Sequence, residues 1–420
     1  MSRARPRGLW GLYTFLTWLF HPLIRWNVKR RLKKGKEDPR RYTERFGLTA
    51  TQRPEGVLIW LHAVGLGEVM ALRSIIPILA KHCPEAHYLV TSGTRQSAVV
   101  FAVNLPNRTI HQYFPADITR YCRRFLEHWK PDICIWSEQE LWPNMIWHAD
   151  QAGIPQVVIN ARMNERAYKS RVRFAQMFGE IYRRFALISA QDEQSARHIT
   201  ALGGKVRVDG SLKPLSPPLE ADEEALRIRS EQIGARPILC LASSHPNDED
   251  IALAALAHLP ADTLLVIVPR RVERAAQILE KLGSDGFAVS VGDKPIEKNT
   301  RIHVEDQVGE LGLWYRLCSV AFIGGGFDDT QGHNPWEAVT LNCPILYGPK
   351  TQNFAQDYES LDTIGIARKV LNSQDISTSF ARFRQDYDPA LKRLAVEPAL
   401  ANLDKLGQDI ITIMGSRRAK

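Results

Sequence analysis

The chain has 420 residues, of which 44% are hydrophobic, so it can bury more than one core and is not a disordered protein. Residues 1–45 hold thirteen Lys and Arg against Glu37, Asp38 and Glu44, a net charge of +10, so the rest of the +9 chain sums to −1. This distribution argues against a body that coats nucleic acid. The six scattered cysteines form no C-x-x-C pair, which indicates reduced core residues on the cytosolic side. A zinc site is therefore not expected.

The first predicted element is an apolar helix over residues 8–24. This segment has no Lys, Arg, Asp or Glu, and a basic run from Arg25 to Lys36 follows it where a signal peptide would need a cleavage site. Its seventeen residues reach about 25 Å as a helix, the short edge of a bilayer span. We therefore expect a helix inserted in, or barely across, an anionic cytoplasmic leaflet. The alternative is a soluble amphipathic helix that docks on the body.

From residue 56 onward, short apolar runs alternate with segments of helical period, which predicts βαβ units and parallel sheets. Two series of strands are expected. The first is 57–62, 87–91, 109–114, 133–136, 156–159, 187–190 and 206–209, and the second is 238–242, 264–268, 288–291, 302–304, 320–323 and 345–346. A stretch with three prolines, residues 213–222, lies between them as a linker. The pattern predicts two Rossmann-like domains that face a cleft, with ligands at the carboxyl ends of the strands.

Charged residues follow several strands of the first series. Glu68 opens the helix after the first strand, and a carboxylate at that position usually complements the helix dipole and nothing more. Glu138 and Glu140 follow the fourth strand, where acids must be solvated, paired or catalytic. Lys213 places an ammonium at the start of the linker.

The second series carries a glycine turn and a helix start within residues 321–339. Gly324, Gly325 and Gly326 allow positive φ and close approach of a ligand to their N–H groups. Asn334, Pro335 and Glu337 are expected at the N-cap, N1 and N3 of the next helix, where an anion would bind. The alternative is a capping box alone. Earlier in the series, Arg270 follows a strand and suits a planar acceptor.

A set of motifs runs in order through nearly the whole chain. They are HAVGLGE, SEQELWPN, NAR, GSLK, VPRR, VGELGLWY, QGHNPWEAV and GPKTQNF, preceded by RYTERFG at residues 41–47. The set resembles the 3-deoxy-D-manno-octulosonic acid (Kdo) transferases of Gram-negative bacteria. The resemblance implies the GT-B fold and transfer of Kdo from CMP-Kdo to the lipid A precursor (lipid IVA), with inversion, at the cytoplasmic side of the inner membrane. It implies no metal and no other cofactor.

Site residues follow from the resemblance motif by motif. It implies that Glu68 is the general base and that Glu138 and Lys213 stabilise the transition state. The implied CMP contacts are Pro269, Arg270, Val308, Gly309, Glu310, Asn334, Pro335, Trp336 and Glu337. The chain departs from the family at Val64 and Gly65, where a serine is usual, at Gln331, and in the loop GGGFDD, where GGS is usual. Asp328 and Asp329 are expected to be solvated turn residues.

The resulting division is a membrane-anchoring segment (1–45), an acceptor-binding domain (46–212), the linker (213–222) and a CMP-Kdo-binding domain (223–420). One option left open is that the last helices pack back on the acceptor-binding domain. The expected partners are CMP-Kdo, the lipid A precursor and an anionic membrane surface, without nucleic acid. Two other functions remain: a GT-B enzyme that uses a UDP-sugar, and a membrane-associated binding protein without catalysis.

Overall fold

The computed structural model describes residues 8–138, 140–283 and 286–418, without the side chains of Leu66, Arg417 and Arg418. The chain divides into two units: Met1–Leu215 together with Ala399–Lys420, and Ser216–Pro398. Each unit is an α/β structure on one seven-stranded sheet. The unit boundary falls inside the proline-rich stretch 213–222.

Two helices, α1 (Gly8–Leu19) and α2 (His21–Lys33), open the first unit and lead to a 3-10 turn at Tyr42–Phe46. One face of α1 packs on the body of this unit. Trp10 is fully buried with its ring 5.7 Å from that of Trp147, and the Tyr13 hydroxyl donates to Asp117 Oδ2 at 2.9 Å. Among the described residues, no helix is both long enough and apolar enough to cross a bilayer.

The first unit has a doubly wound parallel sheet. Its strands are β1 (Leu58–His62), β2 (His87–Ser92), β3 (Thr109–Tyr113), β4 (Ile133–Ser137), β5 (Gln156–Ala161), β6 (Leu187–Ala190) and β7 (Val206–Val208), in the order β3-β2-β1-β4-β5-β6-β7. Its further helices are α3 (Leu66–His82), α4 (Arg95–Ala102), α5 (Thr119–Trp129), α6 (Pro143–Gln151), α7 (Glu165–Val172), α8 (Ala175–Tyr182) and α9 (Glu193–Ala201). Because side chains alternate along a strand, Trp60 packs on one face of β1 and Ile59 on the other.

The second unit has its own parallel sheet. Its strands are β8 (Ile238–Ser244), β9 (Leu264–Pro269), β10 (Val289–Val291), β11 (Ile302–Val304), β12 (Val320–Ile323), β13 (Ile345–Tyr347) and β14 (Ala367–Lys369), in the order β10-β11-β9-β8-β12-β13-β14. The helices are α10 (Glu223–Ile233), α11 (Pro246–Ala255), α12 (Ala275–Gly283), α13 (Leu311–Leu317), α14 (Trp336–Val339), α15 (Ala355–Ile364), α16 (Ser373–Asp386) and α17 (Leu391–Arg418). The part of α17 from Ala399 onward belongs to the first unit, where Leu403, Leu406 and Ile410 join the core beside α3.

The predicted α/β class with parallel sheets is confirmed. Every predicted strand is present, with ends that differ by at most two residues. The structure also contains one strand that was not predicted, β14. This strand has three residues, of which only Ala367 is buried, so it lacks the apolar run that marks the other strands.

Candidate functional site

The loop after β1 places Glu68 at the carboxyl edge of the first sheet. Gly65 is the N-cap of α3 and Glu68 is the third helical residue. Glu68 Oε2 accepts the N–H groups of Val64 at 3.1 Å and Gly65 at 3.2 Å. The side chain therefore closes a capping box, which stabilises its negative charge. No hydrogen bond to Oε1 is found among the described residues, so this second oxygen can accept a proton from a ligand.

Glu138 lies directly after β4 on strained backbone. Its φ is +58°, a left-handed conformation that non-glycine residues rarely adopt. The pKa of Glu138 is raised from 4.5 to about 7, chiefly by burial and then by the negative charge of Glu68, while Lys213 and Arg162 oppose the shift. Because the charges of Glu68 and Lys213 both act on Glu138, the structure brings these three residues together.

Glu140 and Arg162 join this cluster, although neither was among the predicted catalytic residues. Burial raises the pKa of Glu140, and the charge of Glu68 adds to the effect. Asn160, at the end of β5, has a φ of +52° and accepts the N–H of Leu212 with its Oδ1 at 3.2 Å. This bond fixes the backbone immediately before Lys213. Asn160 and Arg162 belong to the NAR motif, but the sequence did not indicate which contacts they make.

The second unit gathers another set of predicted residues around Arg270, which follows β9. The positive charge of Arg270 lowers the pKa of His333, after the larger effect of burial. Burial raises the pKa of Glu337, an effect that the Asn334 amide and Arg270 oppose. Arg270, Asn334 and Glu337 are therefore neighbours. A guanidinium beside a carboxylate and an amide can bind hydroxyl and phosphate groups.

Helix α14 begins one residue later than expected. Pro335 is its N-cap, so Glu337 is the second helical residue rather than the third. Asn334 still accepts the N–H of Trp336 at 3.2 Å, and its amide lies 3.4 Å from Glu337 Oε1. Trp336 is buried and donates to Asp357 Oδ1 at 2.8 Å. This places Trp336 in the core and leaves Asn334 and Glu337 as the polar members of the motif.

Val308, Gly309 and Glu310 lie before α13. Val308 is 83% exposed, and Gly309 has a φ of +106°. Burial raises the pKa of Glu310, and the charge of Glu305 adds to the effect. In the described part of the chain, no hydrogen bond or ion pair joins these three residues to Arg270 or Glu337. The predicted contact of these three residues with CMP stays a prediction.

The glycine run serves packing within the unit, which differs from the expectation of open amides. A Cβ on Gly324 would lie 2.4 Å from the carbonyl oxygen of Ser243, and one on Gly326 would lie 2.7 Å from Gly348. The N–H groups of Gly325 and Phe327 donate to the carboxylate of Asp248, at 2.6 and 3.3 Å. The Asp248 carboxylate therefore accepts the N–H groups that were expected to bind a phosphate.

The two acids after the glycines behave differently. Asp329 is fully exposed and pairs with Lys350 at 3.2 Å, as expected of a turn residue. Asp328 is not solvated as expected: Asn247 donates to its Oδ1 at 2.8 Å, and its Oδ2 is buried without a hydrogen bond in the described residues. No group of three or more His, Cys, Asp or Glu is placed to hold a metal ion within that same part of the chain.

A histidine pair beside Arg270 was not predicted. The Nε2 atoms of His245 and His333 lie 2.9 Å apart, and their rings are stacked with centroids 5.2 Å apart. Burial lowers the pKa of both residues, to about 4 for His333. At neutral pH the pair is uncharged, so one ring donates and the other accepts. Only the fold brings these residues together, since His245 follows β8 and His333 precedes α14.

Comparison with known proteins gives the family. Residues 40–215 match the family model described as 3-deoxy-D-manno-octulosonic-acid transferase (kdotransferase). A 3-deoxy-D-manno-octulosonic acid transferase of Rickettsia bellii is 33% identical over 346 residues, 80% of this chain and 82% of that protein. One of Haemophilus influenzae is 30% identical over 380 residues, 86% and 87% of the two chains.

A solved structure supports the fold. A glycosyltransferase from Rickettsia africae has a TM-score of 0.56 and 10% identity, with 87% of this chain and 99% of that chain covered. At that identity the likeness concerns the fold alone, which is GT-B-like. With the sequence relatives, the chain belongs to the 3-deoxy-D-manno-octulosonic acid transferase family and is a glycosyltransferase.

Proposed function

We propose that the protein transfers Kdo from CMP-Kdo to the lipid A precursor in lipopolysaccharide biosynthesis, with inversion and without a metal. The observation that carries the proposal is the grouping of Glu68, Glu138 and Lys213 at one sheet edge in a member of this family. Proton removal, cation stabilisation and neutralisation of an anion are the three tasks of such a transfer.

Glu68 acts as the general base. The acceptor hydroxyl donates to its free Oε1 while the two backbone N–H groups hold Oε2 in place. As the acceptor oxygen bonds to the anomeric carbon of Kdo, the bond from that carbon to the CMP phosphate oxygen breaks. The hydroxyl proton passes to Glu68, and CMP leaves with the electron pair.

Glu138 and Lys213 stabilise the charges that develop during this step. The anomeric carbon gains cationic character, which the ionised Glu138 carboxylate offsets. The ammonium of Lys213 favours that ionised form and neutralises the Kdo carboxylate or the leaving phosphate. In the second unit, Arg270 binds the phosphate and Glu337 accepts hydrogen bonds from the ribose hydroxyls.

The segment formed by α1 and α2 binds the cytoplasmic leaflet of the inner membrane. Its free face carries large apolar side chains, with Trp18 65% exposed and Leu23 and Trp26 each 59% exposed. Because the other face of α1 is bonded to the body through Tyr13, we propose that the α1–α2 segment lies flat in the headgroup region. The cations of α2 then contact anionic lipids.

The membrane proposal is tested by flotation with vesicles that contain phosphatidylglycerol. Trp18→Ser is expected to lower the bound fraction, because the indole loses its apolar contact with the acyl chains. Leu371→Ser, which changes a side chain 61% exposed in the second unit, serves as the matched control. Equal flotation of the wild type and Trp18→Ser would count against the α1–α2 segment as the membrane contact.

The activity is tested by mass spectrometry of lipid A precursor after incubation with CMP-Kdo. We expect the mass of Kdo to be added, and Glu68→Gln to slow the reaction about a hundredfold or more. Glu55→Gln, a change of an exposed carboxylate in the same unit, serves as the control. CMP should raise the unfolding temperature and UDP should not, because only a ligand of the folded state stabilises it. No added mass, or stabilisation by UDP instead, would refute the proposal.

A further inference from the structure

A basic pocket in the first unit lies outside the residues assigned so far. It has a volume of about 480 Å³ and is open to solvent. The side chains that matter for its chemistry are Arg31, Lys36, Thr94, Arg95, Gln96 and Val99. One wall is formed by the end of α2 and the residues that follow it, and the other by the start of α4.

A buried charge network holds the two walls together. Glu37 is only 2% exposed and accepts from Arg31 at 2.6 Å and from Arg45 at 3.1 Å. Arg45 also donates to the carbonyl oxygen of Gly93 at 2.6 Å, directly before the Thr94 wall. Because one carboxylate faces two guanidinium groups, the network keeps a positive charge.

The cations at the mouth of the pocket are not neutralised by protein carboxylates. Arg95 donates to the carbonyl oxygen of Gly35 at 3.1 Å, which leaves its charge uncompensated. Lys36 is exposed. Neither residue makes a side-chain ion pair within the described ranges of the chain. An arginine fork beside an ammonium suits a phosphate, which can accept from both.

The pocket also adjoins the loop that carries Glu68. A Cβ on Gly93 would lie 2.9 Å from Val64 Cγ1, so the two loops are in close contact. Val64 in turn donates its N–H to Glu68 Oε2 at 3.1 Å. On its other side the pocket is continuous with α2, whose apolar and basic side chains face solvent. A ligand here would lie between the α1–α2 segment and Glu68.

We infer that this pocket binds a phosphate monoester of the lipid-linked sugar acceptor. The inference rests on the proposed function, since the ligand needs a phosphate for the pocket, acyl chains for the α1–α2 segment and a hydroxyl for Glu68. An anionic phospholipid has the phosphate but no sugar hydroxyl to donate. The pocket thereby fixes the acceptor so that its hydroxyl faces Glu68.

The test uses Arg95→Gln and Lys36→Gln in the full chain, with transfer measured against acceptor concentration. Each change should raise the acceptor KM about tenfold, through KM rather than kcat, because a charge-assisted hydrogen bond to the ground state is lost. The donor KM serves as an internal reference. Arg123→Gln, a change of an exposed α5 residue away from the pocket, is the control.

A second acceptor, with its phosphates removed, separates the ligand sources. With this acceptor the wild type should have a raised acceptor KM. The two variants should raise this KM little further, because the hydrogen bond between the phosphate and the pocket is already absent. An unchanged KM in both variants, or an equal loss with both acceptors, would overturn the inference. A loss of binding to phosphatidylglycerol vesicles that parallels the rise in KM would assign the pocket to phospholipid headgroups instead.

Calorimetry with the phosphorylated acceptor distinguishes failure of the pocket inference from failure of the proposed function, because it measures binding without transfer. If the wild type transfers nothing, the proposed function fails. Binding that weakens about tenfold in Arg95→Gln and Lys36→Gln would still support the pocket. Binding equal to the wild type in both variants would refute it.

Discussion

Glu138→Gln should stabilise the first unit in a pH-dependent way. Burial and the charge of Glu68 raise the pKa of Glu138 from 4.5 to about 7 in the folded protein. The folded state therefore binds the proton more tightly than the unfolded state, so the free energy of unfolding falls as the pH rises from 4.5 to about 7. At about 1.4 kcal/mol per pKa unit, ionisation costs the folded state about 3 kcal/mol at high pH. Glutamine keeps the shape without the ionisable proton.

The assay is equilibrium unfolding in urea at about pH 4 and about pH 8, where Glu138 is protonated and ionised, respectively, in both states. Trp60 and Trp136 are buried in the core of this unit, so their fluorescence reports its unfolding. The difference in unfolding free energy between Glu138→Gln and wild type should grow by about 3 kcal/mol between the two pH values. Glu55→Gln, which removes an exposed carboxylate, is the control. A difference that stays constant across this range would refute a buried Glu138 carboxyl beside Glu68.

Four further outcomes follow from contacts within the two units. Lys213→Met should raise the pKa of Glu138, and Glu68→Gln should lower it. Both changes can be measured by ¹³C NMR of the Glu138 side chain, and shifts of the opposite sign would contradict the proposed cluster. Asp248→Ala should destabilise the second unit by about 3 kcal/mol or more in denaturant unfolding, because three N–H groups, one of them fully buried, lose their acceptor. Asp329→Ala, at an exposed ion pair, should change the unfolding free energy by less than about 1 kcal/mol, and an equal loss in both variants would deny Asp248 this role.

The strands could be predicted because parallel strands are buried on both faces. Every residue of β1 and β9 is buried, so each reads as one apolar run. The position of Glu68 and Glu138 at strand ends follows from the same pattern. The partner of the glycine loop could not be predicted, because Asp248 and Gly325 are 77 residues apart and meet only through the pairing of β8 with β12. That contact decides whether the loop amides are open to a ligand.

The conformation of Glu138 could not be predicted either, and it bears on function. This residue carries two costs to folding: a carboxyl whose ionised form burial disfavours, and a left-handed backbone at φ +58° that costs about 1 kcal/mol or more. Glycine would remove both costs at this position. No hydrogen bond to the Glu138 carboxyl within the described residues offsets them. A side chain that destabilises its own unit is best explained by an interaction made with the substrate or the transition state, and the charge that develops at the anomeric carbon provides one.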